Sequence, residues 1–400
     1  MAADHPSAYK TKPHRRRYIT LLLAALLVLA AASATVWYLN NRAPVKVTQA
    51  HTSAAAANPL VKVEANYLYS GTIVLARDVE KYAAGNYNQP FSGMASLGNY
   101  DAHIGILECP ITNNYDSYQN EIQNLVFNCK PAWVPYLKKY FTVLNLSSDH
   151  LNDQGPQGIA ETFQTLKSAG IQTVGTYNPA TLSDDCKAVV LPVRTIKQNG
   201  QAESSSLPIA MCSYNYKELF HPEPGQLESI KKWAKLMPVV ALLNEGPEYQ
   251  HTASPQTVAI AHQMINYGAD YVVGNGTHWV QNTEVYKGKL IVYSMGNFIF
   301  DQIDYYGRIA LNLSVSMTIP YNQNLQRWIK LSGNCLSKPE GCLSLAQKEK
   351  LAKLHPSYKF NVVGSYGGDA LVAKKADPQQ QADIEKIADW QTTMEQLANN

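Results

Sequence analysis

Residues 268–301 constrain the fold of this chain more than any other stretch. Tyr271 to Val273 is a short apolar run of the buried-strand type. It passes into Gly274-Asn275-Gly276-Thr277, a glycine turn that presents His278. A two-strand hairpin follows, turning at Lys287-Gly288-Lys289. The segment closes on Ser294-Met295-Gly296-Asn297-Phe298.

The same grammar recurs upstream. Strands are predicted over 67–76, 102–107, 141–146 and 171–174, with a short helix over 78–84. Residues 155–169 form an amphipathic helix with Ile159, Phe163 and Leu166 on one face. In the second half, 224–236 reads as helix and 239–243 as a continuous apolar strand. Ser254-Pro255 opens another helix, because serine caps and proline suits the first turn, and Gly268 closes it. Residues 309–319 alternate with period two, as an antiparallel flank would. Strands alternating with helices predict an α/β core with the sheets inside.

The N-terminus adds a different element. Residues 18–41 carry no charge, long enough for a membrane-spanning helix, and follow Lys10, Lys12, Arg15, Arg16 and Arg17. The basic cluster orients residues 1–17 inside and the rest outside, with Trp37 and Tyr38 at the interface. A cleaved signal peptide ending near Ala32-Ser33-Ala34 is the other reading. Both put the domain outside the cytoplasm. Residues 42–62, rich in Ala, Ser and Thr, read as a spacer. The folded part then covers 63–335, and 336–400 is a polar, Lys-rich extension with a terminal helix over 377–398 packed loosely at the edge.

Six cysteines suit an oxidising compartment. Cys335 with Cys342 is the easiest pair, and Cys109 with Cys129 and Cys186 with Cys212 are the next nearest. No Cys-x-x-Cys spacing points to zinc. A net charge of +3 argues against a nucleic-acid partner.

The order strand, glycine turn, His278, hairpin and Ser294-Met295-Gly296-Asn297-Phe298 resembles the CapA-type capsule-synthesis family associated with poly-gamma-glutamate. That family is similar in fold to the metallophosphoesterases. The resemblance covers about residues 66–302 and implies two mixed β-sheets packed as a sandwich, helices outside, and a two-metal site where the loops converge.

The family's motif positions then fall as follows. Its Gly-Asp becomes Gly71-Thr72, a neutral hydroxyl where a bridging carboxylate is expected. Its Asn-Leu-Glu becomes Ile106-Leu107-Glu108, keeping the acid. Its Asn-Asn-His-x-x-Asp-x-Gly matches Ser148-Asp149-His150-Leu151-Asn152-Asp153-Gln154-Gly155. Its His-Trp-Gly-x-Glu-Tyr becomes Asn244-Glu245-Gly246-Pro247-Glu248-Tyr249. Its Gly-x-His-Pro-His becomes Gly274-Asn275-Gly276-Thr277-His278. Glu108 could equally pair locally, Asp153 could cap the following helix, and a loop histidine such as His278 could simply be solvated.

The resemblance therefore implies His150, Glu108 and Glu248 as catalytic candidates. It implies Asp149, His150, Asn244 and His278 around any metal, with Asp153, Glu245, Tyr249 and Asn297 nearby. Four ligand positions are lost, at Thr72, Ile106, Asn244 and Gly276. The set holds one divalent ion (Mn, Zn or Mg) or none, since two-metal chemistry needs several anionic or imidazole ligands around a close ion pair. The implied role is a membrane-anchored, extracytoplasmic protein that acts on an envelope polymer (poly-gamma-glutamate or polysaccharide), or with the complex that synthesises it. The alternative is a metal-dependent hydrolase or transferase with a rebuilt site.

Overall fold

The computed structural model describes residues 59–114, 117–175, 186–217 and 225–399. The basic tail, the apolar run 18–41 and most of the spacer lie outside these residues. Among the described residues no helix is long and apolar enough to cross a membrane.

The strands are β1 (Leu60–Ile73), β2 (Ala102–Leu107), β3 (Val143–Asn145), β4 (Gln172–Val174), β5 (Cys186–Lys197), β6 (Ala202–Asn215) and β7 (Val239–Asn244). They continue as β8 (Tyr271–Asn275), β9 (Thr283–Tyr286), β10 (Lys289–Val292), β11 (Asn297–Ile299), β12 (Ile309–Pro320), β13 (Ser357–Tyr366) and β14 (Lys374–Lys375). All fourteen belong to one hydrogen-bonded sheet.

That is a correction to the expected pair of sheets, and β1 is the reason. At 14 residues it is long enough to pair with several partners in succession. Its first half runs antiparallel to β12 and β5, and its second half parallel to β2 and β11. One arm of the sheet therefore holds β14, β13, β12, β1, β11, β2, β3 and β4. The other holds β5, β6, β7, β8, β10 and β9. Each arm mixes parallel and antiparallel ladders.

The arms face each other across a shared apolar core. Tyr69 of β1 and Tyr271 of β8 meet hydroxyl to hydroxyl at 2.8 Å, and Tyr271 packs edge-on against Tyr358 and Phe360 of β13. A second core lies under the helices Arg77–Ala83, Val134–Tyr140 and Gly155–Ser168, with Leu68, Ile73, Leu107 and Leu144 facing them. Each such side chain contributes about 1.5–3 kcal/mol on burial.

Local chemistry explains several boundaries. Ser254 accepts from Thr257 N and starts Pro255–Asn266, and Gly268, at φ 110°, follows its end. Lys287 and Gly288 both take positive φ, the two-residue turn that fits the twist of a hairpin. The cysteines pair 109–129, 186–212 and 335–342.

The C-terminal region departs from expectation. β13 is an interior strand between β12 and β14, so residues beyond 335 contribute to the sheet. The terminal helix is two helices, Pro378–Ile387 and Trp390–Ala398, broken at Asp389, whose φ is 49°. They are not loosely packed. Ile384 and Trp390 are buried, and Thr283 Oγ1 of β9 donates to the Ala388 carbonyl at 2.8 Å. At the other end, β1 starts at Leu60, inside the stretch read as spacer.

Candidate functional site

The C-terminal ends of five strands, β1, β2, β3, β7 and β8, deliver the polar residues of the site, the usual place for ligands in open α/β sheets. β1 brings Thr72, the turn after β2 brings Glu108, and the turn after β3 brings Asp149 and His150. Asn244 and Asn275 end β7 and β8, where they are register partners. All of these except Asp149 and His150 are buried.

Glu108 is the central acid. It is 2% exposed and accepts from Thr72 Oγ1 at 3.3 Å. Burial pushes its carboxyl above the usual range, with His278 pulling it down and Asp149 pushing it up. Its Oε1 stands 4.0 Å from His278 Nε2. Glu248 Oε1 is 3.8 Å from that same nitrogen. Asn297 Oδ1 lies 3.0 Å from His278 Nδ1, which fixes the ring. Asn297 is itself held, because its amide nitrogen donates to Gln302 Oε1 at 2.9 Å. An atom seated between Nε2 and the two carboxylates could therefore exchange a proton with any of them.

Lys217 is a member that sequence reasoning missed. Its Nζ donates to Glu248 Oε1 at 3.0 Å and to the Gly246 carbonyl at 3.4 Å. Burial would raise Glu248, yet Lys217 holds it below the usual carboxylate range. The available signal was positional. Lys217 comes just after a strand that runs parallel to β7, so its chain exits beside the Asn244–Tyr249 loop. Glu245 feels the Gly246 amide and the Lys217 charge less than its burial. It is 2% exposed, its Oε2 lacks a hydrogen bond, and burial carries its carboxyl up to about 7.

His150 and Asp153 form a separate pair. Asp153 Oδ2 takes a hydrogen bond from His150 Nδ1 at 2.9 Å and another from Phe127 N at 2.6 Å. The ring stacks on Phe127, with centroids 4.0 Å apart. Burial alone would lower this histidine; the Asp153 bond and the charges of Glu108, Asp149 and Asp153 win and carry it up to about 9. Asp153 is thus occupied with His150 and the Phe127 amide, and the helix it was expected to cap begins with no side-chain cap.

A two-metal centre does not fit these residues. Thr72 Oγ1 accepts from Asn275 Nδ2 at 2.5 Å while donating to Glu108, so the bridging position is filled by an internal bond. Asn244 turns its amide nitrogen toward Asp149 (3.4 Å) and Asn215 (3.0 Å) as a donor. Its Oδ1 occupies the space beside Gly276, where a Cβ would come within 2.3 Å of it. Among the described residues no three His, Cys, Asp or Glu side chains group closely enough to hold an ion. Tyr249 completes the rim, stacked near His278 at 5.8 Å and held by Gln302.

The fold and this cluster define a mixed α/β protein with a buried, acid-rich site at its strand ends. The chain belongs to the bacterial capsule synthesis protein family PGA_cap, which matches residues 67–302. It is 28% identical over 318 residues to the capsule biosynthesis protein CapA of Bacillus anthracis, covering 73% of this chain and 71% of that one. It is 30% identical over 270 residues to the PGA biosynthesis protein CapA of Bacillus subtilis, covering 62% and 67%. A probable polyglutamine synthesis accessory protein of Mycobacterium tuberculosis is 25% identical over 225 residues, covering 52% and 58%.

Proposed function

We propose that this protein is an accessory factor in the synthesis, export or anchoring of a capsule or cell-envelope polymer, acting without a two-metal centre. One observation carries the reading: the family match spans 67–302, and inside it Thr72 is bonded to Asn275 and Glu108, while Asn244 Oδ1 fills the space that a side chain at 276 would need. The names of the Bacillus relatives supply the polymer class, poly-gamma-glutamate or a capsule polymer. The finer fold reading, metallophosphoesterase-like, is supported by the two facing arms with a site at their strand ends. The basic cluster and apolar run at the N-terminus support a single-pass anchor with the domain outside the cytoplasm. The synthesis complex of the polymer is the expected partner.

The test is a deletion strain complemented by the wild-type chain or by Glu108→Gln with His278→Ala. Loss of surface polymer on deletion supports the role. Unchanged polymer in the deletion strain would end it.

A second reading is a hydrolase or transferase with one rebuilt ion site. Its support is a set of buried oxygens without partners, Asn244 Oδ1, Asn275 Oδ1 and Glu245 Oε2. Metal analysis of the purified chain after dialysis against Mn, Zn and Mg decides it. A stoichiometric ion that disappears in Glu245→Gln would favour the enzyme.

A further inference from the structure

Four cations near the strand-end site are each paired with an acid. Arg77 pairs with Asp301, Lys81 with Asp78, Lys130 with Glu80 and Lys217 with Glu248. Glu108 and Glu245 add buried acids to the same end of the molecule. A polyanion finds little attraction there. A different face offers it cations.

β4 ladders with β3 alone among the described strands. Gln172 bridges from β4 to β5 with its side chain, donating to the Val190 carbonyl at 2.7 Å and accepting from Val190 N at 2.9 Å. At this seam lies a cavity of about 640 Å³, walled by Phe163 and Lys167, by Ile171 and Lys187, and by Leu336 and Glu340. A second cavity of about 410 Å³, lined by Lys338, Leu345 and Lys348, meets the first at Ser337. The helix Gln323–Ser337 and the turn after it build the shared wall. Ser332 Oγ of that helix meets Ser206 Oγ of β6 at 2.8 Å, and the buried Cys335–Cys342 disulfide ties the turn back. Leu336 stands outward, 52% exposed, on this fixed base. The wall lies beyond the 67–302 family match.

Four ammonium groups, Lys167, Lys187, Lys338 and Lys348, line the two cavities against one carboxylate, Glu340. Among the described residues none of the four joins an ion pair or a hydrogen bond. Lys187 is half-buried. Burial lowers its ammonium below the usual range, and only the Glu340 charge acts the other way. An ammonium held out of water without a counter-ion is costly, and a carboxylate arriving beside it offsets that cost.

The lining favours a carboxylate chain over a phosphodiester chain. It holds no arginine, whose planar fork matches phosphate. Between the lysines lie Phe163, Ile171, Leu336 and Leu345, apolar ground for methylene groups. A γ-linked polyglutamate presents one carboxylate per residue, separated from the next by an amide and two methylenes. Its carboxylates suit the lysines, its methylenes the apolar side chains, and its amide N–H groups the oxygens of Gln164 and Ser337.

We propose that the groove from Lys167 and Lys187 past Ser337 to Lys338 and Lys348 binds a γ-linked polyglutamate chain. This rests on the accessory reading above and deepens it, giving the polymer a place apart from the acid-rich site.

The experiment titrates the oxidised full chain, in mild detergent, with a fluorescently labelled γ-linked decaglutamate and with a labelled decamer of glycerol phosphate. Anisotropy reads binding. Asp184 and Asp185, which precede β5 outside the described residues, are present in this chain and count in the result. Decaglutamate is expected to bind more tightly than the phosphate chain, and to weaken as salt rises. Lys187→Gln with Lys338→Gln should weaken it about tenfold. Lys374→Gln with Lys375→Gln removes the same charge from exposed β14 and should stay within about twofold. Melting temperatures check folding. Lys167→Gln with Lys348→Gln, at exposed positions, repeats the test with an expected loss of about fivefold should the first pair disturb the fold. Groove variants that bind like the wild type, or no worse than the β14 variants, overturn the groove. So does a phosphate chain that binds as tightly as decaglutamate, or decaglutamate that does not bind. The accessory role is read separately, from surface polymer in the deletion strain, and survives each of these outcomes.

Discussion

Asn275 Nδ2 donates to Thr72 Oγ1 over 2.5 Å, joining the ends of β8 and β1 across 203 positions of sequence. Thr72 passes the bond on to Glu108. The chain Asn275–Thr72–Glu108 is what stands where a bridging carboxylate would hold metal. A buried acid that accepts from a hydroxyl is tolerable when neutral and costly when charged beside a second acid.

Thr72→Asp should therefore destabilise the protein on the order of 2–4 kcal/mol at pH 7 in chelator, by placing two buried carboxylates side by side. Lowering the pH to about 5 should recover part of the loss, as one acid takes up a proton. Thermal melts at the two pH values check this. If Thr72→Asp melts like the wild type at pH 7, the Asn275–Thr72–Glu108 chain is not the constraint described here.

The His150–Asp153 pair fixes a stability trend on the alkaline side. The folded His150 titrates at about 9, above the ordinary histidine value of 6.5. Its contribution is fully present below 6.5 and disappears as pH rises through 9, at most on the order of 3 kcal/mol. Asp153→Asn should flatten the fall between pH 6.5 and 9. The amide oxygen that this substitution leaves in place can still accept from the Phe127 N–H, so the loss is confined to the charge-dependent part. Denaturant midpoints across that range for both proteins give the answer, and parallel curves would contradict the assignment.

Glu245 gives the opposite lesson. Burial raises its folded value from 4.5 to about 7, so the charged form is disfavoured in the fold. The unfolded chain releases this proton first, and stability falls as pH rises from 4.5 to 7. Glu245→Gln keeps the shape without the charge. It should raise the melting temperature at pH 8 and leave it nearly unchanged at pH 4. A drop at pH 8 would mean that the Gly246 amide and Lys217 outweigh the burial of the carboxylate.

Much of this site was legible because its residues sit at strand ends with strong local signals. The strand Ala102–Leu107 delivers Glu108, and a mostly apolar run stopping at an acid is easy to read. Ser254 and Gly268 bracket their helix as cap and stop should. The long hairpin of β5 and β6 was not legible, since Glu203-Ser204-Ser205-Ser206 carries no apolar alternation; those residues gain their place only from pairing with β5. β13 was hidden in the same way. Its Lys359 and Asn361 read as polar surface, and pairing with β12 along ten register positions makes them strand. Lys217 escaped because nothing local marks it; only parallel pairing of β6 and β7 brings it to Glu248.

Gly276 and Asn244 constrain one another at the ends of β8 and β7. Gly276 takes a φ of 101°, and a Cβ there would lie 2.3 Å from Asn244 Oδ1 and 3.2 Å from Glu245 N. A side chain at 276 therefore meets both backbone strain and a clash. Gly276→Ala should cost about 2–4 kcal/mol. Gly200→Ala is the control, since Gly200 has a φ of 82° with open space around it, and should cost only about 1 kcal/mol. Asn244→Ala removes the clashing atoms, so in that background Gly276→Ala should lose about 1 kcal/mol or more of its penalty. A double-mutant cycle measured by chemical denaturation supplies the coupling. Additive costs would mean that the two positions are independent.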